Sequence, residues 1–233
     1  MANSKEKKFQ ADDADVAYDE KHRNTIRFNM GKYYAAVSKG RARYQDFEAT
    51  RQKAAAIKRH TLEHLADYLL QFEKNFTANG GTVLWARTAD DAIAYITEIF
   101  KENDVKSVVK SKSMTTEEIE LNENLKKVGV ESVETDLGEY IVQLAGERPY
   151  HIVTPAMHKS KADIAKLFNK HFGFPLESTA EEMTMLAREK LRERYLAADA
   201  GITGANFIIA DKGAIAVTEN EGNGLMSTSF PKI

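Results

Sequence analysis

Beyond Gly80-Gly81 the sequence alternates between short apolar, β-branched runs and longer stretches of helical periodicity, and this alternation limits the fold more than any other feature. Repeated strand–helix units build a mostly parallel sheet with helices on both faces, joined by right-handed crossovers. Strands are expected at residues 82–86, 107–109, 130–133 and 150–153, with a further short element at 141–144. Thr88 with Asp91 opens a helix whose inward positions are Ala89, Ala92, Ile93, Ile96 and Phe100. Thr115-x-x-Glu118 and Ser178-x-x-Glu181 have capping-box spacing and mark two more helix starts. A helix over 161–170, and a stripe of Met183, Ala187, Leu191 and Tyr195 on a long helix, complete the pattern. The fold class is α/β.

The lead-in is different. Residues 26–79 read as a helical extension, with Ile57, Leu62, Leu65, Leu69, Phe72 and Phe76 spaced mostly by three and four. Residues 1–25 are polar and charged, and are expected to form a disordered tail; residues 80–233 form the α/β domain. Charge is split along the chain, with 14 Lys and Arg against 8 Asp and Glu in residues 1–60, and 19 against 27 in the remainder. The net charge of -2 gives no overall field for nucleic acid. No apolar run approaches the ~20 residues of a membrane span, and the first residues lack the apolar core of a secretory signal. The expected location is therefore the cytoplasm. There is no cysteine, so no thiolate-held metal or cluster belongs to this chain. His60 and His64 lack a third ligand nearby and are read as structural. The apolar, strand-like finish at Ser229-Phe230-Pro231-Lys232-Ile233 suggests a domain cut short at its C-terminus.

Residues 199–224 hold two apolar runs, Phe207–Ala210 and Ala214–Val217, joined by Asp211-Lys212-Gly213 as in a β-hairpin. These are expected to be buried strands that deliver a polar loop, with Glu219, Asn220, Glu221 and Asn223, to the rim of a site. Gly201 and Gly204 come after a helix and before a strand, the reverse of the order a dinucleotide fingerprint needs, so they are read as a tight turn.

Ligands of open parallel sheets bind beyond the carboxyl ends of the strands. Lys110 and Lys112 leave one such end two residues apart, followed by Ser113 and Thr115 at a helix start, a combination suited to a carboxylate or phosphate. Glu134, Asp136 and Glu139 leave the next, near Gly138. They could pair with the lysines, act in acid–base chemistry or hold a divalent cation. His151 lies within an expected strand. His158, with Lys159, sits at a loop–helix junction better placed for proton transfer.

Three strings, VVKSKSMTTEEIELNENL (108–125), ETDLGEYIVQLAGERPYHIVTPAMHK (134–159) and ADAGITGANFIIADKGAIAVTENEGNG (198–224), closely resemble the LUD domain of lactate utilization proteins. The lead-in IKRHTLEHLADYLLQFEKNFTANGGTVLWA (57–86) is similar to the entry of the B type within that family. The resemblance implies a fold like the NagB/RpiA/CoA-transferase group and a part, alongside companion A and C subunits, in oxidising L-lactate to pyruvate. It also implies a following ferredoxin-like region whose cysteines hold two [4Fe–4S] clusters; this cysteine-free chain departs from the family there. These motifs carry the expected site residues, and their roles are read from the residues and not from the family: the expected catalytic groups are His158, Glu139 and Asp136. The expected ligand-binding groups are Lys110, Lys112, Ser113, Thr115, Gly138, His151, Lys159, Asn206, Glu219, Asn220 and Asn223, around a small carboxylate or phosphorylated cofactor. Two other functions compete with this one. One is a non-catalytic scaffold that docks partner subunits through the basic arm and the hairpin. The other is a CoA- or acyl-transfer enzyme with Glu139 or Glu219 as nucleophile.

Overall fold

The computed structural model describes residues 4–150 and 154–233. The expected strand at 150–153, and His151 within it, therefore fall almost wholly outside the described residues. The chain opens with four helices, α1 (Ser4–Ala17), α2 (Glu20–Arg41), α3 (Phe47–Glu63) and α4 (Leu65–Ala78). Then come α5 (Ala89–Glu102), β1 (Ser107–Lys110), α6 (Met114–Glu118), α7 (Leu121–Lys127), β2 (Glu131–Glu134) and α8 (Leu137–Ala145). The remainder is α9 (Lys161–Phe172), α10 (Ala180–Ala197), β3 (Ala200–Ile202), β4 (Phe207–Ile209), β5 (Ala214–Ala216) and α11 (Asn223–Ser229).

The alternation yields the expected parallel sheet, in the order β2-β1-β3. Helices cover both faces because β1 is apolar on both: Val109 points into a core with Tyr140, Phe168, Ala187 and Leu191 from α8, α9 and α10. Val108 points into a second core with Phe100, Leu121, Leu125 and Ala200. Gly201 lies within β3 and not in a tight turn; a Cβ there would collide with the Ser227 carbonyl, so its absence lets α11 press onto the strand.

The helix starts shift by one or two residues from two of the expected boxes. The Thr88–Asp91 box forms. Ser178 instead turns back on Pro175, its hydroxyl donating to that carbonyl at 2.6 Å, which leaves Thr179 and Glu182 to form the box of α10. Ser113, not Thr115, caps α6, because Ser111 is still bonded to Ile202 and the helix begins directly after. Residues 141–144 belong to α8, and residues 82–86 form no strand among the described residues; Trp85 there donates to Glu73 at 2.8 Å.

The hairpin does form, with Ile208 opposite Ile215, but it is a separate two-stranded sheet and it is not buried. Phe207 is 65% exposed and Ile208 50%. An aliphatic run signals a strand, but burial needs a layer to pack against, and the sheet's two faces are already filled by helices. The hairpin is held by its turn: Asn75 Nδ2 donates to Ala210 O at 2.9 Å and Asn79 Nδ2 to Lys212 O at 2.8 Å. Gly213, at φ +58°, rides so close to the backbone of Asn75 and Phe76 that a side chain would not fit.

The polar first 25 residues, expected to be a disordered tail, form α1 and the start of α2 from Ser4 onward. Helix α2 touches the body through Lys21 to Asp163 (3.0 Å) and Asn29 Nδ2 to Met157 O (2.8 Å). In the expected apolar stripe of the lead-in, the helix breaks at His64 and only Phe72 is buried; Ile57 and Leu62 face solvent. No described helix is long and apolar enough to cross a membrane.

Candidate functional site

The floor of the site is an ionic cluster at the carboxyl end of the sheet. Parallel register sets Lys110, the last residue of β1, directly beside Glu134, the last of β2. Lys110 is wholly buried, and its ammonium meets Glu134 at 2.8 Å, Thr116 Oγ1 at 3.0 Å and Glu117 at 3.6 Å. Asn122 Nδ2 donates to the same Glu134 oxygen at 2.7 Å. Glu139 joins from the first turn of α8, also buried. Burial, then the neighbouring Glu134 carboxylate, push Glu139 up to about 8, with Lys110 opposing, so this carboxyl keeps its proton at neutral pH. One oxygen each of Glu134 and Glu139 is buried and without a hydrogen-bond partner.

Above the floor, an open cleft of about 800 Å³ runs off the edge of β2, between α6 and α7 on one side and α8 on the other. Glu117, Glu120, Glu123 and Glu131 give it an acidic wall, with Lys126 and Arg148 as its cations. The β2 edge would leave its backbone groups bare, but Gln143 serves as a substitute strand. Its amide accepts from Glu134 N–H at 3.0 Å and donates to Ser132 O at 2.8 Å.

The expected site residues do not gather in one pocket. Glu139 lines the cleft, whereas Lys110 lies wholly buried beneath it; it is engaged by carboxylates, the pairing held open from the sequence, and is not open to an incoming anion as one half of a lysine clamp. Lys112 lies in the loop after β1, near Glu221, whose carboxyl is raised by burial. Ser113 and Asp136 cap α6 and α8. Thr115 is exposed on α6. Gly138 leaves room for Pro155, whose Cδ would be 3.1 Å from a Cβ.

His158 lies outside the cleft lining and pairs with Glu147 at 2.7 Å, as does Lys159. Although burial opposes them, these two hold Glu147 below its ordinary value. Around the hairpin, Asn206 accepts from Thr218 N–H at 2.7 Å, and Glu219 caps the start of α11 by accepting from Gly224 and Leu225 N–H. Asn220 is exposed, and Asn223 is buried at the start of α11. The exit loop is thus not a wall of the cleft, though Glu221 accepts from Leu137 N–H at 3.2 Å beside Asp136. Sequence reasoning missed Glu117, but it held open the pairing of Glu134 with Lys110: each directly follows an expected strand, and charges at the ends of parallel neighbours meet.

An α/β domain with a charged cleft along the β2 edge of its parallel sheet is the class this geometry defines. The family model of the LUD domain matches residues 69–233. The chain is 45% identical over 188 residues to lactate utilization protein B of Bacillus pumilus, an alignment covering 80% of this chain and 40% of the relative. It is 40% identical over 227 residues to lactate utilization protein B of Bacillus cytotoxicus, covering 97% and 48%. It is 44% identical over 186 residues to the "Uncharacterized electron transport protein YkgF" of Escherichia coli K12, covering 80% and 39%. No solved structure matches. The chain belongs to the LUD-domain family, and it spans less than half the length of these curated relatives.

Proposed function

We propose that this chain is the LUD-domain portion of a cytoplasmic lactate utilization subunit of the B type, acting with companion A and C subunits in oxidising L-lactate to pyruvate. The observation that carries this reading is the alignment along 97% of the chain with a relative named lactate utilization protein B. Turning a secondary alcohol into a ketone releases two electrons and two protons. A chain with no cysteine has no thiolates to hold an iron–sulfur cluster. In this reading the electrons go to two [4Fe–4S] clusters outside this sequence, and this domain holds the small carboxylate. The cleft along the edge of β2 is where such a ligand fits, and its Glu134 and Glu139 floor lies at the carboxyl end of the parallel sheet. Thr116, Asn122 and Ser132 supply polar contacts, and Arg148, exposed and 3.2 Å from Glu120, supplies a guanidinium.

The test is reconstitution of the full-length subunit with its companions, following pyruvate formed from L-lactate. Glu139→Gln should lower turnover at least about tenfold while the complex still assembles. Unchanged turnover in an assembled complex would remove the cleft from the reaction. It would favour the scaffold reading, which the exposed Phe207, Ile208 and Ile215 of the hairpin support. The acyl-transfer reading gains little from the site, since Glu219 is occupied in capping α11 and Glu139, raised by burial, keeps its proton and so is a poor nucleophile.

A further inference from the structure

We propose that Glu117, Glu134 and Glu139 bind a hard divalent cation of the Mg²⁺, Mn²⁺ or Ca²⁺ class on the floor of the cleft. One carboxylate oxygen from each lies within 4.8 Å of the other two. Ligands on opposite sides of a cation with bonds of about 2.4 Å are separated by about that distance, so one ion can reach all three. The three side chains come from α6, β2 and α8, elements fixed by the sheet and its helices, so the constellation does not depend on a loose loop.

A cluster of acids alone says little, but the unused oxygens say more. Lys110 and Asn122 both take Oε1 of Glu134, which leaves Oε2 buried with nothing to bond. Oε2 of Glu139 is in the same state, and the two residues are only 3% and 4% exposed. Leaving such oxygens buried and bare is costly, and the proton that Glu139 keeps can serve only one of the two; a bound cation would displace that proton. A cation between them would satisfy both without disturbing the Lys110–Glu134 bond. Lys110 would then keep Glu134 oriented, as an outer partner of a metal ligand does. The donors are all carboxylate oxygens, with no sulfur or imidazole, which selects a hard ion. The acidic cleft gives that ion a route in.

This site also resolves a difficulty in the functional reading on which its second half rests. A cleft walled by Glu117, Glu120, Glu123 and Glu131, with Lys110 beneath it already paired, is an unfavourable seat for a small anion at its floor. A divalent ion on the floor would offer the carboxylate and adjacent hydroxyl of a 2-hydroxy acid a common positive partner.

The full chain, stripped with a chelator, would be titrated with Mn²⁺ alone, reading bound ion by electron paramagnetic resonance. One saturable Mn²⁺ per chain is expected, competed by Mg²⁺ or Ca²⁺. Glu139→Gln and Glu134→Gln should each weaken it by about tenfold or more, with folding checked by circular dichroism. If either buried variant fails to fold, the partly exposed Glu117→Gln gives the same comparison. No saturable Mn²⁺, or affinity unchanged in the folded variants, would overturn the site. Adding L-lactate should then change the bound Mn²⁺ spectrum. An intact site that ignores L-lactate keeps the metal proposal and defeats only its link to the hydroxy acid.

Discussion

Lys110 shows how much one residue depends on its surroundings. An ammonium with no solvent exposure is tolerable only because Glu134 sits at 2.8 Å and Thr116 and Glu117 complete its shell. Removing the cation while keeping the carboxylates leaves buried negative charge with no counterion. Lys110→Met should therefore destabilise the domain by about 3–5 kcal/mol in chemical denaturation. The double change Lys110→Met with Glu134→Leu should cost less than Lys110→Met alone, since the uncompensated charge goes too. A double variant less stable than the single would mean that Lys110 acts by packing and not by charge. In the sequence, Lys110 read as half of an exposed anion clamp. The residue type was legible and a carboxylate partner was one alternative, but the choice of Glu134 and the full burial were not, because pairing Ser107–Lys110 against Glu131–Glu134 is a fact of strand register.

At the scale of elements, periodicity and caps were the most readable signals. The Met183, Ala187, Leu191 and Tyr195 stripe is buried along α10 as its spacing implied. The boundaries slipped where two capping patterns overlap, as at Ser178 and Thr179, and where a tertiary bond such as Ser111 to Ile202 decides the start. The run at 141–144 was ambiguous because four apolar-rich residues fit a strand or a helix turn equally well. The open edge of β2 illustrates what no local pattern reveals, since its cover is one glutamine amide from α8. Gln143→Leu should strip both bonds and cost about 1–3 kcal/mol, with the Glu134 amide, the one N–H that Gln143 accepts, exchanging hydrogen faster than those of β1. Unchanged protection at the β2 edge would show that another group covers it.

Across the whole molecule, the parallel sheet was legible from alternation alone, while the placement of the outlying parts was not. The hairpin reads as core because its residues are apolar, yet it hangs from α4 by its turn, a contact between segments over a hundred residues apart. The polar N-terminal segment reads as a tail, yet α2 reaches α9 through Lys21 and Asp163. That contact carries a pH signature. The Ser160 hydroxyl first, then Lys21 and the Ser160 N–H, hold Asp163 down to about 2, below its ordinary 3.8, against the effect of burial. A carboxyl that is more acidic folded than unfolded stabilises the fold fully above about pH 4. Below that the unfolded chain takes up the proton first, and the contribution fades as pH falls towards 2. The melting temperature of the native chain should thus exceed that of Asp163→Asn by a constant margin from neutral pH to about 5, and the two should converge at about pH 2. A margin that stays flat down to pH 2 would mean that Asp163 is not held by these partners. A margin that shrinks in high salt as well as in acid would assign its larger part to Lys21, and so to the docking of α2 on the domain.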